Sequence, residues 1–161
     1  MNLQYFESLA KNKKIDELEN VLEKAFKNAA DPTLFLINVL TITDVPQVRN
    51  EVALLLADNP DERAIEPLVE MILSERTPLN KANMLTALAK YDYIPYSEML
   101  FNFLIDGYFE ISRKSYLMLE EVSDRIPDDI KSKGIDRINE KIENLEEEIE
   151  FLRDAMEMLL P

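Results

Sequence analysis

Six polar side chains carry the chemistry most open to this chain: Glu66, Glu70, Glu98, Asn102, Asp106 and Asp129. Glu66 and Glu70 are four residues apart, as are Glu98, Asn102 and Asp106 in turn, so on helices each set shares a face. A shift of 32 residues carries Glu66 onto Glu98, and a further 31 carries Glu98 onto Asp129. The same shifts align Glu70 with Asn102 and Lys133, and Ser74 aligns with Asp106. Carboxylates repeated across stacked helices would make an acidic strip, suited to docking Arg and Lys side chains of a basic protein domain. The plainer reading is a solvated polar face, since Glu is a good helix former.

Proton transfer and nucleophilic attack have little to work with. The chain has no His and no Cys, which removes Ser/His/Asp and Cys/His triads and the His-x-x-x-His zinc arrangement. An enzyme would need paired carboxylates, with Tyr91, Tyr93 or Tyr96 as an acid. Nothing in the sequence marks such a pair as buried, and Glu146–Glu148 reads as solvent-facing helix surface. There is no Asp-x-Asp-x-Asp-Gly calcium loop and no metal-ligand cluster. The expectation is a non-enzymatic protein with no metal and no cofactor. Tyr91, Tyr93, Tyr96, Tyr108 and Tyr116, with Phe101, Phe103 and Phe109, are read as core and turn packing, with a few exposed tyrosines as the alternative binding anchors.

Charge supports a basic partner. The 161 residues carry a net −14. Residues 1–30 hold five Lys and five acids, so the whole excess belongs to 31–161. Phosphate backbones and anionic lipid would be repelled, which argues against nucleic acid and membrane surfaces. A basic protein would be attracted and its encounter accelerated. The competing explanation is solubility alone. The start, Met1-Asn2-Leu3-Gln4, lacks a basic region followed by an apolar run, and no apolar stretch approaches the ~20 residues that span a bilayer. With no cysteine, the expected location is the cytoplasm.

The elements that must position these residues are helices. Two glycines in the whole chain disfavour sheets and phosphate-cradling loops, and most of the eight prolines fall where helices would begin. Leu3–Ala10 reads as a short helix stopped near Asn12. A second helix places Ile15, Leu18, Val21, Leu22, Ala25 and Phe26 on one face. Asp31-Pro32 opens a third, with Asp31 as cap and Leu34, Phe35, Ile37 and Leu40 as its apolar face. Asp44 and Gln47 read as a capping box for the next helix. Val48, Val52, Leu55 and Leu56, then Ile65, Leu68, Met71 and Ile72, make a helical hairpin over Val48–Leu73, broken at Asp58-Asn59-Pro60-Asp61. Its two apolar stripes need neighbours.

The neighbours are copies. Thr77-Pro78-Leu79-Asn80 repeats a helix-start signal, and a shift of 32 places Val52 on Met84, Leu56 on Leu88, Leu68 on Leu100 and Ile72 on Leu104. A further 31 places Leu88 on Leu119, Met84 on Ser115 and Leu85 on Tyr116, and Asp106-Gly107 closes the second copy. Units of about 32 residues are the signature of a helical solenoid. Through Val48-Arg49, Ala53, Leu56, Asp61, Ala64-Ile65, Pro67-Leu68 and Leu73, residues 48–73 resemble a HEAT repeat, most closely the short form first noted in phycobilisome lyases. Ala57-Asp58 stand where that family has a glycine, and the third unit lacks the Arg-Ala-Ile-x-Pro-Leu run, beginning its second helix at Pro127 instead. The resemblance implies a right-handed α-solenoid, a binding role, and second helices that line the concave face, so the acidic strip would lie there. Asn83–Tyr93 and Asp106–Ser112 resemble bacterial HEAT-repeat immunity proteins, partners of toxins.

The C-terminal stretch follows another rule. Ile135, Ile138, Ile142, Leu145, Ile149, Leu152, Met156 and Leu159 are spaced 3-4-3-4-3-4-3, a heptad seam with Ile or Met at a and Leu mostly at d. In a parallel homodimer Lys141 would face Glu146 and Glu148 would face Arg153. The alternative is that this helix folds back and caps the last repeat.

The reading is therefore all-α: one HEAT-like domain over 1–161, with N-terminal capping helices in 1–43, repeats in 44–126 and a long C-terminal helix in 127–161. About four hairpins are expected. The implied function is that of an immunity protein that neutralises a basic toxin domain, such as a nuclease, with Glu66, Glu70, Glu98 and Asp106 entering the cleft that holds substrate phosphates. The alternative is a scaffold or accessory subunit that dimerises through Ile135–Leu159.

Overall fold

A computed structural model describes residues 3–76 and 80–160. Among them the chain is all-helical: α1 Leu3–Lys11, α2 Ile15–Lys27, α3 Pro32–Ile42, α4 Pro46–Asp58, α5 Ile65–Leu73, α6 Lys81–Leu88, α7 Ser97–Asp106, α8 Phe109–Glu121 and α9 Asp128–Leu159. Short 3-10 turns at Glu62–Ala64, Ile94–Tyr96 and Ser123–Arg125 introduce α5, α7 and α9 in turn. The chain divides into two compact units, residues 1–93 and 94–161. Their boundary falls inside the 44–126 stretch read as repeats.

In the first unit α4 packs against α2, α3 and α6, while α5 packs against α3 and α6. The hairpin's two stripes thus find neighbours on both sides: Val48, Val52, Leu56, Leu68 and Ile72 are fully buried. At ~1.5–3 kcal/mol for each such side chain, this burial outweighs any propensity difference among the helices. Helix α1 ends as expected near Asn12, in a Schellman motif: Lys14 N–H bonds to Leu9 C=O and Lys13 N–H to Ala10 C=O, with Lys13 at φ 58°. Asp31 caps α3, its carboxylate accepting from Leu34 N–H at 3.1 Å.

Three local expectations differ. Helix α3 buries Thr33, Leu36, Val39 and Leu40 rather than a Leu34–Phe35–Ile37 face, and Leu34 is exposed. Its sequence is apolar almost all round, so periodicity could not choose the inward side. The Asp44–Gln47 capping box does not form, since α4 has no side-chain cap bond. Instead Thr43 Oγ1 accepts from Val45 N–H, and Asp44 takes the Arg76 guanidinium at 2.5 Å. A charge-assisted pair with a guanidinium outcompetes one bond to a backbone amide. Asn80 precedes α6 without capping it; its buried carboxamide accepts from Arg49 and donates to Pro46 C=O and Asn50 Oδ1. Thr77-Pro78-Leu79, the rest of that start signal, lies outside the described residues.

Helix starts in this unit are tied to one another by charge. Arg63 reaches Asp31 at 2.6 Å and Asp61 at 2.7 Å, while Thr33 Oγ1 donates to Asp61 at 2.9 Å. The Arg63 guanidinium, then its backbone amide and the Thr33 hydroxyl, hold the Asp61 carboxyl well below the usual range. Arg63 and the Leu34 amide lower Asp31 in the same way. Both folded-state values lie below the unfolded ~3.9, so this stabilisation is present above about pH 4 and is lost as pH falls through the folded values. Wild type should therefore lose thermal stability between about pH 4 and 2 more steeply than Arg63→Gln, in which the carboxyls titrate closer to their unfolded values. Parallel melting curves against pH would count against the network.

In the second unit α7 packs against α8 and α9. Gly107 ends α7 at φ −75°, an ordinary backbone conformation; glycine is needed there because a Cβ would stand 2.3 Å from the Phe103 carbonyl oxygen. Gly134 lets α9 approach α7, its Cα facing the Phe101 ring so closely that a Cβ would meet it at 2.6 Å. Gly134 is the one buried residue of the 32 in α9. From Asn139 to Asp154 the helix is exposed on every side. The fold-back reading thus holds for the first turns of α9 alone.

Candidate functional site

Each predicted site residue lies on a helix, and all six are exposed. Glu66 and Glu70 stand one turn apart on α5, where the buried Leu68, Val69, Met71 and Ile72 turn them outward. In the second unit Glu98, Asn102 and Asp106 share a face of α7, opposite Met99 and Leu100. Asp129 sits in the first turn of α9, where a helix N-terminus favours an anion.

Surroundings separate these residues. Arg137 on α9 donates to Asn102 Oδ1 and reaches Asp106 Oδ2 at 3.3 Å. A groove of about 260 Å³ beside them is lined by Ile105, Asp106, Arg137, Glu140, Lys141 and Asn144, a mixed set of charges. The α7 row is therefore not a uniform anionic strip: Asp106 has its own cation and Asn102 its own donor. Glu98 is exposed in the first turn of α7. On α5, Glu66 and Glu70 present two carboxylates on one solvent-facing edge.

Arg137 was not singled out from sequence, although it follows Asp106 by 31 residues, one repeat length. Asp31–Arg63 and Asp44–Arg76 are each 32 apart. A search for opposite charges at the repeat period would have found all three.

The aromatic residues divide. Tyr93 is buried, and Tyr91 packs with its hydroxyl donating to Leu56 C=O at 2.9 Å. Tyr108, Phe109 and Tyr116 are exposed instead, so the packing expectation fails for them. Tyr116 borders an apolar cleft of about 240 Å³, lined further by Phe101, Leu104, Leu119, Ile126 and Ile135. Glu120, Ser123 and Lys131 also line it, and the Tyr116 hydroxyl donates to Glu120 Oε1 at 2.9 Å. Among the described residues no group of three or more Asp or Glu could hold a metal, and no helix is long and apolar enough to cross a membrane. No family model, no curated protein and no solved structure matches the chain.

Proposed function

We propose that this chain is a non-enzymatic protein-binding solenoid of HEAT-like hairpins that receives a basic protein domain on its acidic surface. Helix contacts in the first unit support the architecture: α2, α4 and α6 follow one another as first helices, and α3 touches α5 as a second. Ion pairs at separations of 32 and 31, two within the first unit and one within the second, tie equivalent parts of successive hairpins. The observation that carries the binding role is the exposed Glu66–Glu70 edge on a chain of net charge −14.

In this reading Glu66 and Glu70 on the first unit, and Glu98 on the second taken by itself, accept hydrogen bonds from Arg and Lys of the partner, and the long-range field speeds the encounter. A nuclease toxin whose cleft binds phosphates is a partner of the right charge, and an immunity protein that fills such a cleft blocks substrate by like-charge mimicry. Asp106 contributes less, because Arg137 already offsets it.

The test is capture on the immobilised full chain at low salt, from extract of its own cells, followed by a salt gradient. A basic protein that elutes as ionic strength rises is expected, since surface charge pairs weaken once the Debye length falls below ~10 Å. Captured protein that is acidic, or whose retention ignores salt, would overturn the proposal.

A further inference from the structure

We propose that α9 makes this protein a homodimer, the seam from Ile142 to Leu159 packing against the same seam of a second copy as a parallel two-stranded coiled coil. This does not rest on the acidic-surface reading; it concerns another part of the molecule.

The distal half of α9 has nothing against it in the single chain. Its seam side chains stand open, Ile149 at 47% and Leu152 at 64% exposure. In proteins most of a helix's stability comes from packing its apolar face, which this stretch does not do within one chain. Scattered exposed leucines mean little, but an unbroken 3-4 spacing makes one continuous apolar stripe.

Charge placement identifies the occupant. Between Asn139 and Leu159 there are eight acids and two cations. With Ile142 and Ile149 at a, six of the acids fall at b and f, on the side away from the seam: Glu140, Glu143, Glu147, Glu150, Asp154 and Glu157. The other two, Glu146 and Glu148, flank the seam at e and g, and the only cations, Lys141 and Arg153, take g and e. In a parallel pair of identical helices, each g position meets the e position five residues on in its partner. Lys141 then faces Glu146 and Glu148 faces Arg153, and the twofold axis makes each pair twice. Antiparallel overlap of the same seam would pair Glu146 with Arg153 twice but set Glu148 beside Ala155 and leave Lys141 without an acid, half the attractive pairs of the parallel arrangement. A basic helix from another protein would leave Lys141 and Arg153 facing like charge. Side-chain shape agrees, since Ile at a with Leu at d favours two strands.

Sedimentation equilibrium of the full chain should give twice the 18.7 kDa monomer mass. Ile149→Asp should return the monomer while the rest of the protein melts as before, because Ile149 is exposed in the single chain. Lys141→Glu with Arg153→Glu should weaken the dimer at least about tenfold, and adding Glu146→Lys and Glu148→Lys should restore it. Leu145→Cys, at a d position of a chain with no other cysteine, should oxidise to a disulfide-linked dimer. In antiparallel overlap of the Ile142–Leu159 seam its two copies would stand about 16 Å apart along the axis, beyond disulfide reach. A monomer at every concentration would overturn the proposal and leave the seam to another protein's helix. A tetramer, a dimer indifferent to Ile149→Asp, or failure of Leu145→Cys to cross-link would overturn it equally.

Discussion

Replacing Arg49 with alanine is expected to destabilise the protein by about 3 kcal/mol, lowering the melting temperature by roughly 6–12 °C. Arg49 is 2% exposed on α4, an unusual place for a guanidinium. Its Nη1 donates to Arg76 C=O at 2.9 Å and to Asn80 Oδ1 at 3.3 Å, so one side chain holds both flanks of the α5–α6 connection. Among the described residues its acceptors are neutral, and Nε finds none. Burial pushes the guanidinium pKa down, the nearby Arg76 charge adds to this, and Asp44 opposes it.

Alanine would remove the packed stem and leave the buried Asn80 Oδ1 and the part-buried Arg76 carbonyl without this donor. Arg49→Met keeps the stem and discards the buried charge but also takes the donor from these acceptors, so its cost should be smaller than that of alanine, about 1–2 kcal/mol. Circular-dichroism melts of both variants measure the difference. Equal stability of Arg49→Ala and wild type would show that the guanidinium holds nothing.

Gly134→Val is the second large effect, a destabilisation of about 3 kcal/mol. Glycine inside a helix ordinarily costs ~1 kcal/mol relative to alanine, so its presence in α9 needs a compensating contact. That contact is the Phe101 ring, which a Cβ would meet at 2.6 Å. The ring borders the apolar cleft and can yield partly into it. Gly134→Ala, which gains helix propensity, should therefore cost only about 1 kcal/mol. Valine adds two methyl groups and must push α9 off α7, taking Arg137 away from Asp106 and Asn102 with it. A valine variant as stable as wild type would mean that the close approach is not what anchors α9.

Much of this architecture was legible in the residues. The hairpin Val48–Leu73, the Asp31 cap and the all-helical content follow from short-range spacing, which reports which side of a helix is apolar. What it does not report is which partner arrives from far along the chain. Asp44 had the spacing of a capping residue, but Arg76 claimed it. Asp106 had the spacing of a free carboxylate on a repeated face, but Arg137 neutralises part of its charge. Asn80 stood where a cap belongs and became the acceptor of a buried arginine. Helix α3 hid its inward face by being apolar nearly all round.

Periodicity over a longer span was the better guide. The repeat length recurs in the ion pairs, at 32 and 31 residues. The heptad seam proved exposed over most of its length. The candidate binding residues are less well determined than the fold, because exposure and charge define where a basic protein could sit but not which residues it uses.

The most direct test compares the captured basic protein's affinity for wild type and for Glu66→Gln with Glu98→Gln across a range of salt. The account predicts binding about tenfold weaker in the double variant at low salt, a loss of ~1.4 kcal/mol, with a flatter dependence of log Kd on log salt. Equal affinity and an equal salt slope would contradict it.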